Sequence, residues 1–316
     1  MSSPPSAAAG PSRSSYLVAV GYMLVAVACF GFIYAGIKWL APDYPTVQMM
    51  FFRCAFALVP IMVFVARTGG LAQLRTRRPL GHVARTAAGV GGMACTFYAF
   101  GRLPLVDAHV LNYATPLFVT LVALLVFGEV VRLRRWTALA IGFAGILLVL
   151  QPGPALLETV STNPAALVML LGCVFAGLSV NMIRRLTETE TTASVAFYFM
   201  LTVSAVTGIA TIFAWRTPQS VEHWAMLVAM GILGGIAQLG MTAAYKRAPV
   251  SALVPYEYSS ILMALGLGFW IWDEVPSPLT MLGAVIVIAS GLYILQREAQ
   301  LKLGRRSASA PPPPPA

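Results

Sequence analysis

The sequence predicts an all-α membrane protein in which ten transmembrane helices form two inverted repeats of five helices each. Three observations lead to this fold class: an apolar composition, long hydrophobic runs without alternation, and one residue pattern that occurs twice. The chain of 316 residues is 58% hydrophobic and only 10% charged, whereas a soluble domain carries about 25% charged residues. Lipid must therefore surround most of it, and in lipid the backbone is satisfied only in helices or closed barrels. Non-alternating runs favour helices.

Ten hydrophobic runs are each close to the ~20 residues that a helix needs to cross a bilayer. The flanking segments 1–15 and 298–316 are rich in Pro, Ser and Ala or in charge, and we expect both to be disordered. The first run is too long for a cleaved signal peptide, so we expect it to remain in the protein. The predicted spans are 16–41, 45–66, 80–101, 105–128, 133–151, 164–186, 191–214, 222–245, 250–272 and 277–296.

The basic residues predict the orientation of these spans. With the N-terminus in the cytoplasm, 17 of the 21 Lys and Arg residues fall in inside segments, and only Lys38, Arg102 and Arg216 fall outside. This asymmetry fits the positive-inside rule and predicts that both termini are cytoplasmic. The net charge of +10 is therefore a topology signal and not a nucleic-acid-binding patch. The four cysteines lie inside spans without a CxxC pair, so we expect no metal, cofactor or disulfide.

A repeat with an offset of 145 residues joins the two halves of the chain. The stretch Asn112–Glu129 aligns without gaps with Glu257–Glu274, and both begin with a polar residue followed by Tyr. Matched Arg, Pro, Tyr and Glu positions make chance similarity between apolar helices a poor explanation. Because each half, 16–153 and 164–297, has an odd number of spans, the second half must enter the membrane from the opposite face. Inverted repeats are typical of secondary transporters.

The segment from Thr96 to Gly153 resembles the EamA-type repeat of the drug/metabolite transporter superfamily. The stretches GFIYAGIKWL and QMMFFRCAFAL resemble the opening of that repeat. The resemblance implies two inverted five-helix halves that move small metabolites across the bacterial inner membrane, many of them outward. It also implies the proline found at Pro116, although the second half has Ile261 at the equivalent position.

The candidate site residues are polar side chains deep within predicted spans, where ionisable groups are costly and rarely face lipid. Arg53 and Glu257 both lie on the order of 10 Å from the nearest span end. Asn112 and Tyr113 are the repeat equivalents of Glu257 and Tyr258, so we expect both pairs to face one central cavity. Asn181 is a further candidate. The alternative is that these residues only bond the spans to one another.

Charged residues at span ends and clusters of glycine within spans predict further contacts between helices. We expect Lys38 to extend outward from the end of its span, and Glu274 either to pack at a helix end or to form a gate contact. Glycine clusters in the third span (89–92) and eighth span (231–240) predict close helix approach, either static or sliding.

These observations favour a secondary transporter that works by alternating access. The sequence has no Walker, HExxH or nucleophile-elbow motif in a plausible setting, so we expect no enzymatic activity. A channel or a scramblase is the alternative. The Arg and Tyr residues suggest a small polar cargo that is amino-acid-, nucleobase- or flavin-like, and Glu257 suggests protons as the coupling ion. Burial favours the protonated form of Glu257, whereas a nearby Arg53 would favour the ionised form.

Overall fold

The computed structural model consists of helices joined by turns and loops in the part of the chain that it describes, namely residues 13–126, 133–150, 164–187, 189–247, 253, 256–289 and 292–293. No β-strand occurs within these ranges. The first twelve residues and the tail 298–316 lie outside them. The described helices are α1 (Arg13–Leu40), α2 (Thr46–Thr68), α3 (Pro79–Phe100), α4 (Leu105–Asn112), α5 (Thr115–Leu125), α6 (Leu133–Leu150), α7 (Ala165–Leu186), α8 (Thr192–Phe213), α9 (Val221–Arg247), α10 (Ser260–Trp272) and α11 (Pro278–Ala289).

Seven predicted spans each overlap one of the helices α1, α2, α3, α6, α7, α8 and α9, and the fourth overlaps α4 and α5 together. Of the ninth and tenth predicted spans, the structure describes the helices α10 and α11. Helix α1 begins at Arg13, so the last three residues of the predicted tail 1–15 are helical. Prolines mark several starts: Pro79 is the first residue of α3, and Pro104 directly precedes α4. Both positions suit proline because the first N–H groups of a helix have no partner within it.

Six of the described helical segments are long and apolar enough to cross a membrane. The shorter apolar helices are α10 and α11. Large apolar side chains remain exposed on their outer faces, as with Phe213 at 87% and Trp270 at 85% exposure, which is the pattern expected when the surrounding solvent is lipid. The chain is therefore an all-helical, multi-pass membrane protein. The six crossing segments are Ser15–Leu40, Thr46–Thr68, Leu105–Leu125, Ala165–Ile183, Thr192–Phe213 and Val221–Tyr245.

The helices of the two halves interleave rather than forming separate bundles. The most extensive contacts join α3 to α7, α1 to α9, α2 to α9 and α2 to α8. The repeat makes α1 equivalent to α7, α2 to α8 and α3 to α9. The contact equivalent to α3–α7 is therefore α9–α1, and the contact equivalent to α2–α9 is α8–α3. Both equivalent contacts are present. The same pairs of helices thus recur when the two repeats are exchanged, although α3 and α8 pack less extensively than α2 and α9.

Glycines in α9 allow its close contact with α2. A Cβ on Gly231 would lie 2.7 Å from the carbonyl oxygen of Phe52, and one on Gly235 would lie 2.7 Å from that of Ala57. Neither backbone oxygen can move aside cheaply, so any larger residue would push the two helices apart. The predicted close approach in the eighth span is present, and whether the helices slide stays a prediction.

Candidate binding cavity

A cavity of about 500 Å³ lies among helices α1, α4, α5, α7, α9 and α10. Its volume falls within the range of small-molecule sites, roughly 300–1,000 Å³. Both repeats contribute to its wall. The lining residues are Met23, Ala26, Val27, Phe30, Tyr34, His109, Asn112, Tyr113, Thr115, Pro116, Val119, Thr120, Val180, Met241, Tyr245, Glu257, Tyr258 and Ser260.

A break between α4 and α5 brings Asn112 and Tyr113 to the cavity. Pro116 has no N–H, so the carbonyl of Asn112, four residues earlier, cannot form its normal helical hydrogen bond. The Thr115 hydroxyl donates to that carbonyl instead, at 2.7 Å. The chain turns at residues 113–114 and restarts as α5. The sequence therefore provides both the break and the hydroxyl that satisfies it.

The equivalent tyrosines of the two repeats meet at the cavity wall. The rings of Tyr113 and Tyr258 are 4.9 Å apart between centroids, with an edge-to-face angle of 73°. The Tyr113 hydroxyl is hydrogen-bonded to the Ser260 hydroxyl and lies 3.4 Å from the carbonyl oxygens of Glu257 and Tyr258. One side chain of the first repeat thus holds the start of α10 in the second repeat.

Glu257 supplies the carboxylate of the cavity. Tyr245 of α9 donates a hydrogen bond from its hydroxyl to Oε1 of Glu257. Neither Lys nor Arg is among the residues that line the cavity in the described part of the chain. The negative charge that an ionised Glu257 carries is therefore balanced by no cation in the lining.

Aromatic rings form the end of the cavity near Tyr34. Tyr34 stacks on Phe100 at 4.0 Å between centroids, and His109 meets Tyr34 edge-on at 5.3 Å. His109 is 2% exposed, and its Nε2 has no hydrogen-bond partner. The His109 ring packs against these aromatic side chains and also lines the cavity.

Two predicted site residues lie outside the lining. Arg53 is buried, with Nη1 3.5 Å from the sulfur of Met200, and its guanidinium fits against Gly234 of α9. The structure brings it into no described ion pair with Glu257. Asn181 donates from Nδ2 to the carbonyls of Val119 at 3.0 Å and Gly177 at 2.9 Å, so it joins α7 to α5 behind the cavity wall.

Arg85 is a buried cation that the topology count assigned to an inside segment. It is 9% exposed, its Cζ lies 3.4 Å from the centroid of the Phe199 ring, and its Nε and Nη1 atoms lack partners. Its position five residues into the predicted span 80–101 was the signal that could have separated it from the loop arginines.

Membrane-crossing helices from two interleaved halves, enclosing a cavity large enough for a metabolite, define a transporter-like membrane protein. The family comparison makes this specific: the model of the EamA-like transporter family matches residues 17–151 and again residues 163–296. The chain belongs to the EamA-like transporter family, and the double match confirms the repeat. Family membership makes it a transporter and not an enzyme or a channel.

Several characterised transporters are similar over most of their length. The pseudopaline exporter CntI of Pseudomonas aeruginosa is 28% identical over 87% of this chain and 95% of its own. The S-adenosylmethionine uptake transporter of Rickettsia prowazekii is 29% identical over 83% and 86%. The riboflavin transporter of Rhizobium johnstonii is 26% identical over 93% and 95%. A solved crystal structure resembles the fold with a TM-score of 0.61 at 18% identity, over 91% of this chain and 98% of that chain.

Proposed function

We propose that this protein is a secondary carrier of the bacterial inner membrane that moves a small polar metabolite by alternating access. In this proposal ten spans form the inverted halves 16–153 and 164–297, and both termini are cytoplasmic. The observation that carries it is the contact between Tyr113 and Tyr258, equivalent residues of the two repeats, at the wall of one cavity. A site on the axis that relates inverted repeats can face either side of the membrane in turn.

The lining of the cavity favours a cargo with a cationic group and a planar part. Glu257 offers a negative charge, and tyrosine rings offer faces for stacking and cation–π contact. Asn112 and the Tyr113 and Tyr258 hydroxyls add hydrogen-bonding groups. Such a cargo is an amino-acid-, nucleobase- or flavin-like metabolite. The relatives named as S-adenosylmethionine, riboflavin and pseudopaline transporters support a small metabolite as the cargo. They include both an uptake transporter and an exporter.

We assign the six predicted site residues two kinds of role. Asn112, Tyr113, Glu257 and Tyr258 contact the cargo directly. Arg53 and Asn181 support the wall from behind, since Arg53 packs against Gly234 of α9 and Asn181 fixes α7 to α5. In this proposal Arg53 therefore supports the cavity wall and does not contact the cargo.

The test is exchange in liposomes containing the purified protein. S-adenosylmethionine, riboflavin and the cationic amino acids are screened first by the shift that they cause in thermal unfolding. Each compound that raises the unfolding temperature is then followed as a radiolabelled substrate. A carrier shows saturable uptake that unlabelled substrate on the opposite side accelerates. Flux that neither saturates nor responds to substrate on the opposite side would contradict the carrier mechanism.

A further inference from the structure

An ion pair between Lys38 and Glu274 joins the two repeats at one end of the molecule. Lys38 lies in the last turn of α1, and Glu274 lies two residues after the end of α10. The two side chains are only 12% and 20% exposed. The expectation that Lys38 extends outward from its span is therefore wrong, because a carboxylate within the protein satisfies its charge.

Both members of the pair also hold the backbone that leads into α4. Lys38 Nζ donates to the carbonyl of Leu103 at 3.0 Å, and Oε2 of Glu274 accepts the N–H of Leu105 at 2.8 Å. Lys38 Nζ also lies 5.1 Å from the centroid of the Trp272 ring. One ion pair thus connects the end of α1, the start of α4 and the end of α10.

This cluster lies one helical turn from the cavity on two separate helices. Lys38 follows the lining residue Tyr34 by four residues, and Leu105 precedes the lining residue His109 by four. Four residues of α-helix span about 6 Å. Between the ion pair and the cavity lies the packed group of Tyr34, Phe100 and His109, in which Phe100 is fully buried. The cavity is closed at this end by an aromatic layer with an ionic layer above it.

The pair crosses the boundary along which the halves of a carrier must move. Lys38 and the segment 103–105 belong to the first repeat, whereas Glu274 belongs to the second. Any opening of the cavity at this end must separate α1 and α4 from α10. That separation removes the Glu274 carboxylate from both the Lys38 ammonium group and the Leu105 N–H, so two polar contacts break together.

We infer that Lys38 and Glu274 are gating residues, whose ion pair holds the cavity shut at this end and must break once in each transport cycle. The inference rests on the proposed alternating-access function. In the proposed topology this end faces the periplasm, because α1 starts in the cytoplasm and ends outside.

Access to the cavity from outside tests the gate without requiring transport. Ala26, which lines the cavity and is fully buried, is replaced by Cys in a background whose four native cysteines are Ser. Spheroplasts are then treated with a membrane-impermeant maleimide. We expect Lys38→Met and Glu274→Gln to accelerate labelling at position 26 by about tenfold, whereas Lys38→Arg, which keeps the charge, labels like the parent.

Arg102→Met is the matched control, since the Arg102 guanidinium lies 3.7 Å from the Tyr98 ring, within the same repeat. Unchanged labelling in both Lys38→Met and Glu274→Gln would overturn the inference. An increase equal to that of Arg102→Met would overturn it as well, because it would report general loosening. If the parent shows no carrier-type exchange but Lys38→Met still accelerates labelling, the carrier mechanism fails while the closure by this pair stands.

Discussion

At the scale of single residues, the hydroxyl of Tyr113 does more for the structure than that of its equivalent, Tyr258. Tyr113 bonds Ser260 and approaches two carbonyls of the other repeat, whereas the Tyr258 hydroxyl makes no hydrogen bond to the described residues. Their rings, in contrast, form one mutual contact. Repeat symmetry therefore places two equivalent tyrosines together, but only one of them fastens the halves to each other.

Replacing each tyrosine by Phe should separate these roles. Tyr113→Phe removes a bond between the halves, so we expect it to lower stability by about 1 kcal/mol and to weaken cargo binding. Tyr258→Phe should leave the unfolding temperature unchanged and weaken binding alone, because its hydroxyl is available to the cargo. Thermal unfolding in detergent and substrate titration measure both quantities. Equal loss of stability in the two variants would contradict the assignment.

The residues whose placement could be predicted are those fixed by the repeat. The offset that aligns Asn112 with Glu257 also predicts that both face one cavity, and both line it. Arg53 is a residue whose side-chain direction could not be predicted from the sequence. Its distance from the helix end follows from the residue count, but the direction of its side chain depends on how α2 packs against α8 and α9. Arg85 was missed for a related reason, since a charge count treats a cation near a span end as a loop residue.

At the scale of elements, the loop between α7 and α8 is fastened to the segment that precedes α3. Oε1 of Glu190 accepts the backbone N–H groups of Arg77 at 2.8 Å and Arg78 at 3.1 Å. Burial by itself would raise the pKa of the Glu190 carboxyl. The backbone N–H of Arg77, the Thr76 hydroxyl, His82 and the N–H of Arg78 outweigh it and lower the pKa below the usual 4.5.

The lowered pKa of Glu190 predicts a pH-dependent contribution to stability. The native state favours the ionised carboxylate, so its contribution is fully present above the usual carboxyl pKa and is lost as pH falls through the lower native value. We expect Glu190→Gln to lower the unfolding temperature at neutral pH. The difference from the wild type should shrink below pH 4.5. Thermal unfolding across pH 3–7, about the range in which carboxyl groups titrate, measures it. Glu222→Gln, at the exposed start of α9, is the control. A difference independent of pH would show that the carboxylate charge is not involved.

The sequence predicts the helix break between α4 and α5 in the first repeat but not the corresponding break in the second. The resemblance to the family pointed to Pro116, and a proline inside a span predicts an interrupted helix. The second repeat has Ile261 there, yet its chain also turns at residues 258–259 before α10 begins. A Ser259 hydroxyl donates to the Tyr256 carbonyl at 2.5 Å, much as Thr115 does in the first repeat. The second half therefore also breaks its helix here, without a proline at the position equivalent to Pro116.

At the scale of the whole molecule, composition and the repeat were enough to predict helices, their order and their bounds to within a few residues for most spans. They could not predict the contacts between halves, because each such contact depends on which helix faces meet. The Lys38–Glu274 pair, for example, joins residues 236 positions apart. Length and hydropathy identify spans one at a time, whereas the site and its closure arise from the way in which two copies of one pattern interleave.

We propose that Glu257 couples the movement of cargo to the movement of protons. The Tyr245 hydroxyl donates a hydrogen bond to the Glu257 carboxylate, and the cavity lining adds no Lys or Arg in the described residues. A carboxylate in such surroundings is stabilised either by a proton or by a cationic cargo. Because both use the same oxygens, the two ligands exclude each other. A carrier that returns with one and leaves with the other exchanges protons for cargo.

Glu257→Gln should therefore uncouple the protein. Gln has nearly the shape of protonated Glu and can still accept the Tyr245 hydrogen bond, but it neither binds nor releases a proton. We expect the wild type to accumulate cargo in liposomes severalfold more when a pH gradient is imposed, and the variant to lose this response. Because the cationic group then has no counter-charge, the apparent affinity of the variant for cargo should fall at least tenfold, which corresponds to about 1.4 kcal/mol.

Asn112→Asp provides the converse test, since it places a carboxylate at the equivalent position of the first repeat and should strengthen binding of a cationic cargo. If accumulation by the wild type and by Glu257→Gln depends equally on the pH gradient, Glu257 does not carry the coupling proton.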